Sequence, residues 1–214
     1  MAHETQKFEL GITMNIQKVL RYLLLPAALP LALLIWTASA SAGEETPLPN
    51  PQVTIKTNQG DITVRLFRDT APITVENFLS YVDSGHYEGT IFHRVIRDFM
   101  VQGGGFLPDM TEKEVGEPIV NESKNRKHNT RGTIAMARTN DPDSATAQFF
   151  INQRTNLRLD WMPGKIGYTV FGEVVHGLSV VDFMATAPVQ SLGSHSDVPI
   201  DPIIIKEIVR KSLL

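Results

Sequence analysis

Short segments in which apolar and polar residues alternate, separated by turn residues, recur along most of this chain and constrain its fold more than any other feature. Residues 53–57 and 61–66 alternate in this way around Asn58-Gln59-Gly60, which predicts a β-hairpin. The same pattern predicts further strands over residues 90–96, 99–102, 133–137, 148–152, 168–175 and 202–209. Many short strands with few helices favour an all-β barrel or sandwich.

Two stretches depart from alternation and have helical spacing. In the first, apolar residues recur at i, i+3, i+4 and i+7: Val75, Phe78, Leu79 and Val82. Pro72 suits its first turn, and Gly85 can end it in a left-handed cap. A shorter helix is predicted over residues 177–185. We expect the apolar side of both helices to pack on the core.

The first 42 residues differ in composition from the rest of the chain. Lys18 and Arg21 precede an apolar run over residues 22–36, and small residues follow up to Ala42. This order of charged, apolar and small residues is typical of a secretory signal peptide. The apolar run is interrupted by two prolines and is short for a membrane span of about 20 residues. We therefore predict a signal peptide over residues 1–42.

Two details of this signal stay open in the sequence. Cleavage is plausible after Ala40 or after Ala42, because small residues precede both bonds. Met14 is an alternative initiator, since residues 1–13 are polar and would form only an upstream extension of the signal.

Length and composition narrow the classes of function. Of the 214 residues, those from 43 to 51 are rich in proline and predict a linker, and residues 52–212 are long enough for one domain with a sizeable core. The net charge of −3 provides no basic field that would attract nucleic acid. Cysteine is absent, which excludes a disulfide framework, a thiolate nucleophile and a lipoprotein anchor.

Residues 92–106, with the sequence FHRVIRDFMVQGGGF, combine side chains suited to one kind of ligand. Arg94 keeps its charge and offers several fixed donors. Phe99 and Met100 can wall an apolar pocket, and Gln102 donates and accepts hydrogen bonds without charge. If Arg94 and Gln102 lie on paired strands and face one way, their polar ends converge beside Phe99. Such a site suits a neutral, apolar ligand that carries an amide, and it contains neither a nucleophile nor a base.

This stretch resembles the signature of the cyclophilin-type peptidyl-prolyl cis-trans isomerases, FHRVI-x-x-F-M-x-Q-G-G-x-F. Residues 132–137 with 148–151 resemble the second active-site block of that family, and residues 168–172 resemble its late strand. The resemblance covers roughly residues 52–209 and is greatest to bacterial periplasmic members. It implies a closed eight-stranded antiparallel β-barrel capped by a helix at each end, and, together with the export signal, a periplasmic location.

The resemblance also implies a role for individual residues. Arg94 would be the catalytic arginine, and Gln102 would help to position it and the substrate. The residues that would form the proline pocket are Phe99, Met100, Phe150 and Leu159. Those that would hold the residue before proline are Ala137, Arg138 (mainly through its backbone), Thr139 and Gln148. Tyr168 stands where a histidine is common, and Arg158 replaces the rim tryptophan of cyclosporin-sensitive members, so we expect weak binding of that drug.

The activity implied by the resemblance is acceleration of X-Pro bond rotation during the folding of exported proteins. It requires no cofactor and no metal. The expected partners are unfolded or partly folded polypeptides that contain proline, with no nucleic acid and no stable membrane association after signal cleavage. We expect a monomer. A non-catalytic chaperone or scaffold that binds peptides in the same groove is the alternative.

Other chemistries find less support in the sequence. The six histidines form no close pair of metal ligands, which argues against a zinc site. His93 follows the alternation of its strand, so we expect it on the face opposite Arg94, as a core histidine with satisfied hydrogen bonds. Basic residues between Lys124 and Arg131 could attract an anionic partner, but acidic residues flank them, and we expect a solvated loop.

Overall fold

The computed structural model describes residues 50–211. The ten strands of this part of the chain are β1 (Gln52–Thr57), β2 (Gly60–Leu66), β3 (Arg94–Ile96), β4 (Met100–Gly103), β5 (Thr133–Met136), β6 (Phe149–Asn152), β7 (Val170–His176), β8 (Val189–Leu192), β9 (His195–Pro199) and β10 (Ile205–Arg210). The helices are α1 (Pro72–Asp83), α2 (Leu178–Met184) and the 3-10 turns Ser123–Asn125 and Leu157–Leu159. The predicted signal peptide and most of the predicted linker lie outside the described residues.

Eight of the strands form one antiparallel sheet in the order β10-β1-β2-β7-β5-β6-β4-β3. Strands β8 and β9 form a separate two-stranded sheet. This hairpin lies in a region where the sequence predicts no strands. The mainly-β class with two helices is therefore confirmed.

The sheet is an open, curled half-barrel, so the expectation of a closed barrel is wrong. Its edge strands β3 and β10 share no ladder. The segments that precede them meet in a single bridge between Ile91 and Ile204, with the Phe92 amide donating to the Ile203 carbonyl at 2.9 Å. The alternation over residues 90–96 suggested one long edge strand, but only Arg94–Ile96 is a strand. The segment before Arg94 therefore joins the β10 side only through this bridge and neighbouring backbone hydrogen bonds, and no ladder closes the sheet.

Both helices supply apolar side chains to one core. The predicted stripe of α1 is fully or almost fully buried, at Val75, Phe78, Leu79 and Val82. Pro72 begins the helix, and Gly85 follows its end with a φ of +69°. In α2 the buried residues are Val181 and Met184. Among the described residues, no helix combines the length and the apolar character that crossing a membrane would require.

Aromatic rings connect α1 to the strands that carry the site. The ring of Phe78 lies 5.3 Å from Tyr87, 5.7 Å from Phe149 in β6 and 5.2 Å from Phe171 in β7, measured between ring centroids. The Tyr87 hydroxyl donates a hydrogen bond of 2.9 Å to the carbonyl of Ala147, just before β6. This packing fixes the start of β6 against the helix.

Replacement of the Phe78 ring should destabilise the protein. We expect Phe78→Ala to lower the free energy of unfolding by about 3–5 kcal/mol, because it removes a fully buried ring and leaves a cavity between α1, β6 and β7. Phe183→Ala in α2 is the matched control: this ring is 62% exposed, and the change should stay within about 0.5 kcal/mol. Urea denaturation measures both, and equal losses would contradict the assignment of Phe78 to the core.

Candidate functional site

The local strand pairing brings the polar ends of the 92–106 stretch together. Strands β3 and β4 pair with Arg94 directly opposite Gln102, as the paired-strand argument predicts. Gln102 is in turn opposite Phe150 of β6. Residues opposite each other in an antiparallel pair point to the same side of the sheet. One side of three neighbouring strands therefore presents an arginine, an amide and an aromatic ring in a row.

This side of the sheet forms part of a cleft of about 460 Å³. Ten of the eleven site residues identified in the sequence line it: Arg94, Phe99, Met100, Gln102, Ala137, Arg138, Gln148, Phe150, Leu159 and Tyr168. Thr139 is not among the lining residues. Its amide and its hydroxyl are bonded to the Ser144 hydroxyl at 2.9 and 2.7 Å, within the turn that follows Arg138.

The apolar part of the cleft is a second hydrophobic cluster, distinct from the main core. Met100 and Phe150 are 2% and 4% exposed, and Phe99 and Leu159 pack on them with part of their surface open. The ring of Phe150 meets the edge of Tyr168 at 5.7 Å. Together these side chains make a water-poor surface large enough for a small apolar ring.

The guanidinium of Arg94 lines the cleft and is only weakly held. Its Nε lies 3.8 Å from Oδ2 of Asp197 in β9, a distance beyond that of a hydrogen bond. Within residues 50–211 the guanidinium donates no hydrogen bond, and the side chain is 41% exposed. Its N–H groups are therefore free to donate to a ligand that enters the cleft.

A chain of amides borders the cleft beside Arg94. Gln102 donates from Nε2 to Oε1 of Gln148 at 3.1 Å, and Gln148 approaches the carboxylate of Glu112 at 3.5 Å. Gly105 makes this arrangement possible. A Cβ at position 105 would lie 2.6 Å from Cγ of Gln148, closer than carbon atoms can approach.

Two further cations lie on aromatic rings of the cleft. The guanidinium carbon of Arg158 is 4.7 Å from the centroid of Phe99, and that of Arg138 is 4.5 Å from Tyr168. Arg138 also donates to the carbonyls of Thr139 and Ile166, at 2.9 and 3.0 Å. Both terminal nitrogens of this guanidinium are thus bonded within the protein, while its Nε has no hydrogen-bond partner among the described residues.

The basic residues between Lys124 and Arg131 make contacts of their own. Arg131 forms a two-point ion pair with Asp182, with both distances 2.7 Å. The ammonium of Lys127 lies 4.5 Å from the ring centroid of Phe67. In residues 50–211 no group of three or more histidine, aspartate or glutamate side chains is placed to hold a metal ion.

His93 is placed differently from the sequence expectation. It lines the cleft, is 4% exposed, and its Nδ1 has no hydrogen-bond partner among the described residues. Strand β3 begins only at Arg94, so the alternation from which the opposite face was inferred does not extend to this residue. The prediction of a satisfied core histidine on the opposite face is therefore wrong.

Burial changes the acid–base behaviour of His93. Loss of solvation lowers its pKa to about 4, and the nearby His195 and Arg94 act in the same direction. The ring therefore stays neutral near pH 7. It contacts the ring of Phe106 at 4.7 Å, and Phe106 contacts His195 at 5.0 Å.

Besides His93, four residues that line the cleft were not predicted from the sequence: Phe106, Ser194, His195 and Ser196. Phe106 is the last residue of the stretch 92–106 that contains Arg94, and this position in the motif could have identified it as a site residue. The other three belong to the β8–β9 hairpin, which packs beside β3. No periodicity in residues 189–199 indicated this position.

Comparison with known proteins gives consistent results. The family model described as "Cyclophilin type peptidyl-prolyl cis-trans isomerase/CLD" matches residues 52–210. A peptidyl-prolyl cis-trans isomerase of Acinetobacter baylyi is 50% identical over 166 residues, which cover 78% of this chain and 88% of the relative. Peptidyl-prolyl cis-trans isomerase B of Escherichia coli is 52% identical over 159 residues, covering 73% and 97%.

A solved structure has the same fold. The cyclophilin-type peptidyl-prolyl cis-trans isomerase of Cryptosporidium parvum, crystallised in the presence of the dipeptide Ala-Pro, superposes with a TM-score of 0.66 at 33% identity. The match covers 75% of this chain and 99% of that one.

The buried neutral histidine predicts a pH dependence of stability. Between about pH 6.5, the ordinary histidine pKa, and pH 4, the unfolded chain takes up a proton at His93 that the folded protein does not. The contribution of His93 to the free energy of unfolding should therefore be fully present above pH 6.5. It should fall by about 3 kcal/mol as the pH drops to 4. His93→Phe, which keeps an apolar ring against Phe106, should remove most of this fall.

Urea denaturation at a series of pH values measures the effect. The difference in the free energy of unfolding between wild type and His93→Phe reports the contribution of His93 alone. His86, whose pKa is also lowered by burial, is present in both proteins and cancels in this difference. Parallel stability curves for the two proteins would contradict the prediction.

Proposed function

Because this chain belongs to the cyclophilin-type peptidyl-prolyl cis-trans isomerase family and is an enzyme of that class, we propose that it catalyses X-Pro rotation in proteins that fold after export. The observation that carries the assignment of the site is the guanidinium of Arg94, which donates to no side chain of the described residues and stands beside an apolar surface. Proline-containing polypeptides are its substrates.

The chemistry of the bond explains why these side chains suffice. Rotation about a peptide C–N bond removes amide resonance, and its barrier is about 18–20 kcal/mol. For X-Pro the two isomers differ by only about 1 kcal/mol, so both are populated and exchange slowly. A catalyst therefore needs no covalent step, provided that it binds the twisted amide more tightly than the planar one.

Arg94 supplies the interaction that grows in the transition state. As the amide twists, the proline nitrogen regains a lone pair and becomes a hydrogen-bond acceptor. A guanidinium aimed at this nitrogen then forms a stronger bond than it does in the ground state. Gln102, opposite Arg94 and fixed by Gln148, orients the substrate beside it. A gain of about 7 kcal/mol from charge stabilisation and orientation would give about five decades of rate.

The apolar surface holds the proline ring. The residues that form it are Phe99, Met100, Phe150 and Leu159. When a proline ring covers this surface, water is displaced from the side of Arg94 that faces the substrate, and the hydrogen bond from Arg94 then acts in a lower dielectric. The dipeptide Ala-Pro used with the Cryptosporidium parvum protein has the same chemistry, an amide followed by a proline ring.

The residue before proline lies across the neighbouring backbone. Ala137 and Gln148 line this part of the cleft, and their backbones are joined by a 2.9 Å hydrogen bond from the amide of residue 137. Arg138 contributes backbone groups, and Tyr168 closes the far wall. Thr139 acts through the turn that it forms with Ser144 rather than by direct contact.

Export is the second part of the proposal. The order of charged, apolar and small residues in positions 18–42 supports secretion, and the resemblance to periplasmic members supports the periplasm as the destination. In that compartment the clients are newly exported chains, in which slow X-Pro rotation limits folding.

Replacement of Arg94 tests the mechanism. Arg94→Ala should lower kcat/KM for a short X-Pro peptide by 100-fold or more, about the loss expected when one donor to a developing charge is removed. Arg97→Ala is the matched control, since this arginine is exposed in the turn between β3 and β4. The kcat/KM of this variant should equal that of the wild type. NMR exchange measures both rates on the mature protein.

The same variants separate catalysis from binding. An unchanged rate in Arg94→Ala would refute the mechanism. If native protein shows no isomerase activity but suppresses aggregation, and Arg94→Ala does so equally, the groove serves a non-catalytic chaperone or scaffold.

Export has its own readout. We expect the secreted protein to begin at Ser41 or at Gly43, because cleavage follows Ala40 or Ala42. N-terminal sequencing of protein recovered from the periplasmic fraction measures this. Recovery of the uncleaved chain in the cytoplasm would contradict the proposed location without affecting the isomerase assignment.

A further inference from the structure

Asp197 in strand β9 has a backbone conformation that is unusual for its residue type. Its φ is +59°, in the left-handed region that glycine adopts freely and other residues rarely adopt. Three other non-glycine residues between positions 50 and 211 have a positive φ, and all lie outside the strands and helices: Asp98, Met110 and Arg126. Asp197 is thus the one such residue within a strand of the described chain. A strained residue inside a regular element is a reason to look for a function.

The unusual conformation coincides with a β-bulge. The partners of Val198 and His195 are two positions apart on β8, at residues 190 and 192. Ser196 and Asp197 therefore stand opposite a single residue, Ser191. Bulges of this kind re-aim side chains and occur often beside active sites. This bulge borders the cleft, because Ser196 lines it.

The carboxylate of Asp197 faces the guanidinium of Arg94. Its Oδ2 lies 3.8 Å from Nε of Arg94, and the same oxygen accepts a hydrogen bond of 3.2 Å from the Ser196 hydroxyl. Opposite charges at this distance attract each other, although no hydrogen bond forms between them. The attraction therefore acts on the guanidinium without occupying any of its donors.

No other side chain of residues 50–211 forms a hydrogen bond or an ion pair with Arg94. Gln102 stands opposite Arg94 in the ladder, but its amide donates to Gln148 and accepts no hydrogen bond from the guanidinium. Arginine has a long side chain with many rotamers, so a guanidinium without a polar partner would sample several directions. The charge of Asp197 is in a position to narrow these directions.

The hairpin that carries Asp197 is anchored on both sides of the bulge. On one side, Val198 is 3% exposed. On the other, the ring of His195 lies 5.0 Å from that of Phe106, which lies 4.7 Å from the ring of His93, directly before β3. These contacts fix β9 beside β3. A carboxylate held in this way can orient a guanidinium, because it does not move with it.

We propose that Asp197 is a positioning residue, which orients the guanidinium of Arg94 in the cleft and so raises the rate of X-Pro rotation. The proposal rests on the proposed function, since it assumes that Arg94 donates to the twisted amide. A donor that is already oriented forms its bond in the transition state without first losing rotational freedom, so the benefit appears in kcat. Asp197 is not among the residues that line the cleft, and it acts through Arg94.

Asp197→Asn tests the charge alone. Asparagine has nearly the same shape and, like aspartate, tolerates a left-handed backbone, so the bulge should remain. We expect kcat for a short X-Pro peptide to fall about threefold to fivefold with little change in KM, because an ion pair at partly exposed positions contributes only modestly. NMR exchange on the mature protein measures both constants.

Asp98→Asn is the matched control. Asp98 has a left-handed backbone with a φ of +60° and a similarly loose ion pair, in which its Oδ1 lies 3.7 Å from Nη1 of Arg154. It lies in the turn between β3 and β4, but its partner arginine does not line the cleft. We expect wild-type kcat and KM in this variant.

The mobility of Arg94 reports its orientation without substrate. NMR relaxation of the Nε–H group of Arg94 should give a lower order parameter in Asp197→Asn than in wild type or in Asp98→Asn. A role confined to the shape of the bulge would not change this order parameter, since asparagine keeps that shape. In an Arg94→Ala background, Asp197→Asn should have no further effect on the rate, because the two residues act as one unit.

The outcomes separate this proposal from the proposed function. Either a wild-type kcat or a wild-type order parameter of Arg94 in Asp197→Asn would overturn it, as would equal losses in Asp98→Asn or a further loss in the Arg94→Ala background. A higher kcat in Asp197→Asn would also overturn it, because the carboxylate would then compete with the substrate for the guanidinium. Absence of isomerase activity in the wild-type protein would overturn the proposed function, and the order parameter would still decide whether Asp197 orients Arg94.

Discussion

The pleat of strand β6 is the constraint on which both the fold and the site depend. Phe149 and Phe150 are neighbours in the chain and must face opposite sides of the sheet. Phe149 joins Phe78 and Tyr87 in the main core, while Phe150 lies in the separate cluster under the cleft. Main-core packing therefore sets the orientation of the cleft floor, because any slip of β6 by one residue would exchange the two rings.

The electrostatics of the cleft depend on the charged side chains that lie beside its apolar floor. Arg94 is its permanent cation, and the adjacent His93 adds no second charge near pH 7 because burial lowers its pKa to about 4. Asp197 approaches Arg94 only to 3.8 Å, at a partly exposed position where water weakens the attraction. A tight internal ion pair would occupy the donors that catalysis needs. The arrangement leaves the donors of Arg94 unoccupied beside an apolar surface, which suits an amide whose polarity changes as it twists.

Alternation and helical spacing were sufficient to predict most strands of the large sheet and helix α1, because local periodicity decides which face of an element is buried. The pairing of Arg94 with Gln102, which the sequence analysis set only as a condition, is present in the structure. Features that depend on distant contacts did not follow. Sheet closure depends on whether the segment before β3 forms a ladder with β10, and β8 of the hairpin at residues 189–199 is exposed throughout and lacks an apolar pattern. His93 was misplaced because it lies before the start of β3, where the alternation of the strand does not determine which way a side chain points.

The site combines strands of the large sheet with residues that flank the loop of residues 160–167, and this combination suggests how one catalytic cleft can serve varied substrates. The groups proposed to act on the amide lie on strands of the sheet: Gln102 on β4, which has ladders to both β3 and β6, and Arg94 on the edge strand β3, which has a ladder to β4. Rotation requires such precision, because a donor that moves with the substrate would stabilise planar and twisted amides alike. Residues 161–166 are exposed and lie outside the large sheet, so a change of their side chains would not alter the ladders that hold Arg94 and Gln102. Selectivity for the residues around proline is therefore expected to reside in such loops, while the rate of rotation depends on the sheet.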